Sequence, residues 1–298
     1  MIDRACISLG ERCNLKCKYC HFHGEYTQKL SGQRQEFSQD ELSEIIDNIN
    51  SYYDAKNGKF KLGIVGSGEP LMEFDKIKYI IDYARKISAN IEFYTITNAI
   101  LLDSEKLKFF YKHRDIIKLC VSLDGYEELH NIGRENFQKV YEGIKKYEDL
   151  FGAKPAINCT VHALSIKNKE KLEKFLVDER FSDITFSRLF DCYDQDLVIT
   201  ADEYKAFLSS FVNSKLKIRQ LDQQKAQKYD CTMYGTLCGV GRTNIFITKQ
   251  GIYPCGRFYG KEEYNEGSFN APLIEIENRI KRLTPLDAKK CYYDEILG

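Results

Sequence analysis

The chain has 298 residues, 43% of them hydrophobic and 30% charged, with 44 basic side chains balanced by 44 acidic ones. A formal net charge of zero supplies no field to draw the molecule to nucleic acid or an anionic membrane, and no apolar run reaches the roughly 20 residues that span a bilayer. Eleven cysteines behind an N-terminus without a secretory signal point to thiols kept reduced in the cytoplasm, not to a disulfide framework.

The first β-branched run, residues 5–9, predicts a strand and leads into Glu-Arg-Cys-Asn-Leu-Lys-Cys-Lys-Tyr-Cys. Cys13, Cys17 and Cys20 are close enough in sequence for one short loop to gather three thiolates. A tetrahedral zinc site wants a fourth protein ligand nearby, whereas an iron–sulfur cube held by three cysteines keeps one iron open for a substrate. Zinc and plain structural thiols are the competing readings at this point.

Further strands are predicted at residues 60–65, 91–97, 117–123, 156–161 and 184–187, alternating with amphipathic stretches to make six βα units. Ser38 and Glu41 form a capping-box pattern ahead of Leu42, Ile45, Ile46 and Ile49, and other helices are predicted to begin near Asp103 and Glu135. Right-handed crossovers place the strand C-termini on one edge, where such folds keep their chemistry. That edge receives the cysteine loop, Gly66-Ser67-Gly68-Glu69-Pro70, Thr97-Asn98 and Ser122-Leu123-Asp124-Gly125. In the glycine loop, absent side chains let backbone carbonyls approach a ligand, and Glu69 can accept hydrogen bonds from a charged amine. The expected fold class is α/β, an open partial (β/α)6 TIM barrel with a lateral mouth.

After a helix around residues 202–212 the composition shifts. Cys231, Cys238, Cys255 and Cys291 follow, with a hairpin predicted from 244–248 and 251–254 turning at Lys249-Gln250-Gly251. So short a segment buries little apolar surface, and a metal or cluster is the usual remedy. The expected division is residues 1–215 and 216–298. Cys6, Cys120 and Cys159 fall inside apolar strand patterns and are expected to be inert core thiols. Cys192 and its neighbours Asp191 and Asp194 follow the sixth strand, so this thiol is a candidate hydrogen-atom donor and the carboxylates candidate proton acceptors. His21 and His23 flank the cysteine loop as surface or supporting residues.

The C-x3-C-x2-C spacing with Tyr19 before its third cysteine resembles the radical S-adenosylmethionine (SAM) enzymes, and the resemblance extends along most of the chain. Gly66-Ser67-Gly68-Glu69-Pro70 is similar to that family's Gly-Gly-Glu-Pro segment, which implies contact with the methionyl amine of SAM. Ser122-Leu123-Asp124-Gly125 followed by His130 and Arg134 resembles a stretch of the peptide- and protein-modifying branch. This implies Ser122 and Arg134 near the carboxylate or ribose of SAM. Asn98 resembles the family's Thr-Asn-Gly segment, with Ala99 where glycine is expected. Cys238-Gly-Val-Gly-Arg and Gly251-Ile-Tyr-Pro-Cys255 look like the start of a SPASM or twitch domain. The implied C-terminal unit is a twitch-like domain in which Cys238 and Cys255, completed by Cys231 and Cys291, grip one auxiliary [4Fe–4S] cluster.

The resemblance therefore implies a SAM-binding [4Fe–4S] cluster, an auxiliary [4Fe–4S] cluster and SAM as cofactors. It implies reductive cleavage to a 5′-deoxyadenosyl radical that abstracts hydrogen from a substrate. A low-potential donor such as flavodoxin or ferredoxin is the expected electron source. The expected substrate is a ribosomally made peptide receiving a thioether or carbon–carbon crosslink or a related oxidation. A small-molecule dehydrogenase acting on an aminosugar alcohol, and a zinc-stabilised non-enzymatic binding protein, are the alternatives. The dozen residues ahead of the cysteine loop are too few for a winged-helix peptide-recognition module, so leader binding would fall to the barrel surface or a separate protein.

Overall fold

The computed structural model describes residues 1–23, 36–189, 192, 194–221 and 228–297. Six parallel strands, β1 (Arg4–Ile7), β2 (Phe60–Ile64), β3 (Ile91–Thr97), β4 (Ile117–Ser122), β5 (Ala156–Val161) and β6 (Ile184–Arg188), lie side by side in chain order. All six occupy their predicted places, two with the same ends and the others with ends that differ by at most two residues. Helices α1 (Gln39–Tyr52), α2 (Phe74–Lys86), α3 (Ser104–Lys112), α4 (Glu127–Gly133), α5 (Phe137–Phe151), α6 (Ala163–Lys167) and α7 (Lys169–Asp178) fill the connections. The capping box at α1 is formed in full: Ser38 Oγ accepts from the Glu41 N–H, and the Glu41 carboxylate accepts from the Ser38 N–H. Asp103 caps α3 in the same sense, its carboxylate accepting from the Lys106 N–H.

One feature departs from six units. The sheet has eight strands in the order β10-β9-β1-β2-β3-β4-β5-β6, because the predicted hairpin, β9 (Asn244–Thr248) and β10 (Gly251–Tyr253), joins the barrel. Strand β9 runs parallel to β1, pairing Arg4 with Asn244 and Ile7 with Ile247. The C-terminal segment is thus sewn to the first strand by main-chain hydrogen bonds. Its other elements are α8 (Ala201–Ser209), β7 (Tyr229–Asp230), β8 (Leu237–Cys238), α9 (Leu273–Ile280) and α10 (Tyr292–Leu297). Among the described residues no helix is long and apolar enough to cross a membrane.

Strand parity divides the sheet into two faces. Ala5, Ile7, Leu62, Phe93, Leu119, Cys159, Phe186 and Ile247 pack with the helices in the main core. The alternate residues, among them Arg4, Cys6, Tyr94, Cys120, Ser122, Asn158 and Ser187, face the concave side. There Ser187 Oγ donates to Asn158 Oδ1 at 2.6 Å, and Cys6 Sγ lies 3.4 Å from the Tyr94 hydroxyl. Cys159 is the core thiol the sequence led one to expect. Cys6 and Cys120 are not in that core: they stand on the concave face, because parallel strands buried on both sides read as unbroken apolar runs and hide their parity.

Candidate active site

The cysteine loop leaves β1 at its C-terminal end and is held by contacts from three neighbouring loops. The Glu69 N–H donates to the Arg12 carbonyl at 2.8 Å, and the Lys18 N–H donates to the Gly133 carbonyl at 2.8 Å. Gly68 is needed for the first contact, since a Cβ there would lie 2.4 Å from the Arg12 carbonyl oxygen and 2.7 Å from that of Gly10. Gly133 is needed for the second: its missing side chain is replaced by the Tyr19 ring, 1.9 Å from where a Cβ would sit. Leu15 and Tyr19 are buried anchors on either side of Cys17, and Cys13, Cys17 and Cys20 are half-buried.

Glu69 is 4% exposed and works inside the protein. Its carboxylate accepts from Thr97 Oγ1 at 2.6 Å, the Asn98 N–H at 2.8 Å and the Leu71 N–H at 3.1 Å. Burial pushes its pKa up, against those hydrogen bonds. Asn98 in turn donates from Nδ2 to Asn14 Oδ1 at 2.7 Å, tying the end of β3 to the cysteine loop. Gly68, Glu69 and Asn98 therefore meet the loop containing Cys13, Gly66 lies against Ser8 just before it, Pro70 follows Glu69 at the start of a helical turn, and Glu69 is engaged as a brace between strands.

Ala99, which stands where the resemblance expects glycine, is fully buried at φ +64°. Left-handed backbone costs a residue with a Cβ about 1–2 kcal/mol, and glycine repays about 0.5–1 kcal/mol of that in unfolded-state entropy. Ala99→Gly should therefore gain about 0.5 kcal/mol, while Ala99→Val, β-branched in the same conformation, should lose more than about 1 kcal/mol. Chemical denaturation of the two variants measures both.

Asp124, at the end of β4, is completely buried. Its Oδ2 accepts from the Tyr19 hydroxyl and from Arg134 Nε at 3.1 Å, and its Oδ1 accepts from the Thr160 N–H at 2.8 Å. Burial opposes its charge, yet Arg134, His130 and the hydrogen bonds from Tyr19 and Thr160 outweigh it and hold the carboxyl below the usual range. Arg134 spans from Asp124 to the cysteine loop: Nη1 lies 3.9 Å from Cys17 Sγ, and the guanidinium sits 5.4 Å from the Tyr19 ring centre. Burial pushes the Cys17 thiol up to about 11, with Arg134 pulling against it. Burial likewise raises Cys13, and Cys20 lies close enough to add to the effect on both thiols. Ser122 is buried on the concave face at the same edge.

Of the residues after β6, Cys192 packs against a small cluster of Tyr19, Leu189 and Leu197 that Cys17 also touches, and its Sγ donates to the Asp194 carbonyl at 2.9 Å. Asp194 caps a short helical turn by accepting from the Asp196 N–H. Asp191, the other predicted catalytic residue, lies outside the described residues.

The four C-terminal cysteines converge. Burial drives Cys231 far up, with Cys255 and Cys291 next in effect, and drives Cys255 up to about 12, where Cys291 and Cys238 add to it. Cys238 is raised chiefly by burial and feels Cys291 as well. Cys231, Cys238 and Cys255, whose thiols are costly to ionise, and Cys291 beside them suit ligands whose charge is met by a cationic guest. One contact was not anticipated: Arg257, two residues after Cys255, donates from Nη1 to Cys291 Sγ at 3.2 Å. A basic residue only two positions after Cys255 was the available clue.

An α/β barrel opened at one side, with three thiols on the loop after its first strand and carboxylate and glycine loops closing on them, defines the class of iron–sulfur enzyme that works on SAM. The sequence profile of the radical SAM superfamily matches residues 7–176, and the chain belongs to that family. It is 25% identical over 293 residues to a cysteine-type anaerobic sulfatase-maturating enzyme of Clostridium perfringens, covering 86% of this chain and 74% of that one. Among solved structures, native anSMEcpe with bound AdoMet and Cp18Cys peptide superposes with a TM-score of 0.75 at 18% identity, covering 96% of this chain and 83% of that one. SuiB of Streptococcus suis bound to the precursor peptide SuiA gives a TM-score of 0.66 at 18% identity, covering 93% of this chain and 64% of that one. At these identities the structural matches speak for the fold.

Proposed function

We propose that this radical SAM enzyme oxidatively modifies a peptide, with Cys13, Cys17 and Cys20 holding the SAM-binding [4Fe–4S] cluster and Cys231, Cys238, Cys255 and Cys291 an auxiliary one. In this reading residues 1–215 carry the SAM site and residues 216–298 the auxiliary site. When bound, the cofactors supply hydrogen abstraction through reductive cleavage of the sulfonium of SAM, and a second cluster supplies a sink for the further electron that an oxidised product must lose.

One observation carries the reading: the two thiol sets stand at opposite ends of β1 and its partner β9. The first set follows β1; Cys238 precedes β9, and Cys255 follows β10, which runs back beside β9. Strand β1 has four residues, which at about 3.3 Å each is about 13 Å of chain. The concave face beside it presents hydroxyl, amide and thiol groups from Tyr94, Ser187, Asn158 and Cys6. Such a lining orients a polar substrate by hydrogen bonds while burial behind it excludes water. Ser122 and Arg134 stand at the rim nearest the first thiol set, where they can meet the carboxylate of SAM. Cys192, which packs beside Tyr19, is in this reading the hydrogen-atom donor. The peptide class is supported by the maturating enzyme among the relatives and by the peptide-bound neighbours.

The test is isotope transfer. Candidate precursor peptides, deuterated at successive positions, are turned over with SAM and a low-potential reductant such as flavodoxin, and deuterium is sought in 5′-deoxyadenosine. Transfer from a peptide position supports the reading; transfer from an aminosugar alcohol with none from any peptide would replace it with a small-molecule dehydrogenase. The double variant Cys238→Ala/Cys255→Ala should retain SAM cleavage while losing product, because those thiols act after hydrogen abstraction. Assaying deoxyadenosine and modified peptide side by side checks this.

A further inference from the structure

We infer that Arg257 is a positioning residue for the auxiliary cluster, retaining Cys291 as a ligand and setting the cluster's reduction potential; this rests on the four-thiol reading above. Arg257 lies in the helical turn Gly256–Phe258 directly after Cys255. Its Nη1 donates to Cys291 Sγ at 3.2 Å and to Asp294 Oδ1 at 2.6 Å, and its guanidinium stacks 4.0 Å from the Tyr293 ring centre. The side chain is 10% exposed, so these interactions are little screened by water. One arginine thus grips three of the four residues 291–294.

The surroundings explain why a grip is needed there. Cys291 is separated by 35 residues from the nearest other cysteine of the set and precedes α10, a helix of six residues with no buried side chain. What packing it has comes from Tyr292 and Tyr293, whose rings lie 6.1 Å and 5.1 Å from that of Phe258, in the same turn as Arg257, so this short helix leans on that turn. Asp294 extends the clasp, since its other oxygen accepts from Arg188 Nη2 at 3.5 Å. Arg188 ends β6 and Arg257 follows β10, and those strands are the two ends of the sheet. Asp294 therefore joins the two lips of the open barrel while Arg257 carries the same link on to Cys291.

Two effects follow for a cluster bound there. A hydrogen bond to a ligand sulfur and an adjacent fixed positive charge both favour the more negative, reduced state, so they raise the potential. A planar guanidinium can bond sulfur and carboxylate at once, which the point charge of lysine does less well.

The experiment uses the full chain, reconstituted anaerobically, with redox titrations followed by electron paramagnetic resonance. Arg257→Met should take up iron as the wild type does. At a potential where the wild-type auxiliary cluster is half reduced, its reduced-to-oxidised ratio should fall at least tenfold, about 59 mV for one electron. Arg257→Lys should fall between; Asp294→Asn loosens the clasp but also removes a negative charge, which works the other way on the potential, so it is read by chelator sensitivity alone. All three should lose auxiliary iron to a chelator several-fold faster than wild type. The SAM-dependent resonance of the first cluster in the same sample reports that each variant is folded. If Arg257→Met and Arg257→Lys match wild type in both potential and chelator sensitivity while Cys291→Ala loses the auxiliary signal, the inference is overturned and the four-thiol reading stands. If Cys291→Ala leaves that signal unchanged, the ligand reading itself falls.

Discussion

Cys17→Ala should abolish SAM cleavage and lower the iron content from about eight to about four atoms per chain, the amount one remaining [4Fe–4S] cluster would carry. The expectation comes from the loop's construction. Cys13, Cys17 and Cys20 lie on a segment whose backbone is fixed by Gly68 and Gly133 and whose Tyr19 is locked on Asp124, leaving no slack for another thiol to take Cys17's place. The nearest spare candidate, Cys192, shares a packing cluster with Cys17, but its thiol is already donated to the Asp194 carbonyl. Loss of any one of the three thiols should have the same outcome, whereas loss of Cys159, deep in the helix-facing core, should leave SAM cleavage intact. Iron analysis and deoxyadenosine assay of the single variants decide the matter. Full iron and a SAM-dependent change of the reduced spectrum in Cys17→Ala would remove the basis for placing the cofactor on this loop.

Much of this was legible in the residue order because local rules and tertiary demands coincide. A capping box before an apolar i, i+3, i+4 pattern specifies α1 by itself, and six alternations of strand and helix leave few other architectures. What stayed hidden was set by long-range pairing. Nothing in Arg4-Ala5-Cys6-Ile7 announces that its second neighbour is Asn244–Thr248, more than two hundred residues later. Parity was hidden too: Cys6 and Cys120 sit among apolar neighbours in sequence, and only the register of their strands in the sheet decides which face each one takes. The site residues show a third limit. Glu69 and Arg134 were picked out as groups able to meet a charged ligand, and their donor and acceptor capacity, with that of Asp124, is largely used to bind the loops to one another. Side-chain chemistry alone cannot tell a contact with a cofactor from a contact with the frame that holds it.

That frame has a centre. Asp124→Ala should destabilise the protein by about 3–5 kcal/mol, since it leaves the Arg134 guanidinium and the Tyr19 hydroxyl buried without their acceptor. Asp124→Asn keeps the shape and removes the charge, so its cost should be smaller but still measurable. The pH dependence separates the two contributions. Asp124's carboxyl is held below its unfolded value, so the stabilisation it gives is present above an unfolded pKa of about 3.9 and fades as pH falls through the lower folded value. Wild type should therefore outlast Asp124→Asn in denaturant at pH 7, and the gap should narrow only below about pH 4. A gap that stayed constant across that range would mean that the lost acceptor oxygen, not the charge, makes the difference. Gly133→Ala approaches the same joint from the other side by driving a methyl group into the Tyr19 ring. It should weaken SAM binding and cluster retention together, because Tyr19 is the tether between Asp124 and the loop that carries Cys17 and Cys20. SAM affinity measured on reconstituted Gly133→Ala should fall in parallel with its iron content, whereas a variant with full iron and normal affinity would show that the loop is held by its own backbone and not by this buried ion pair.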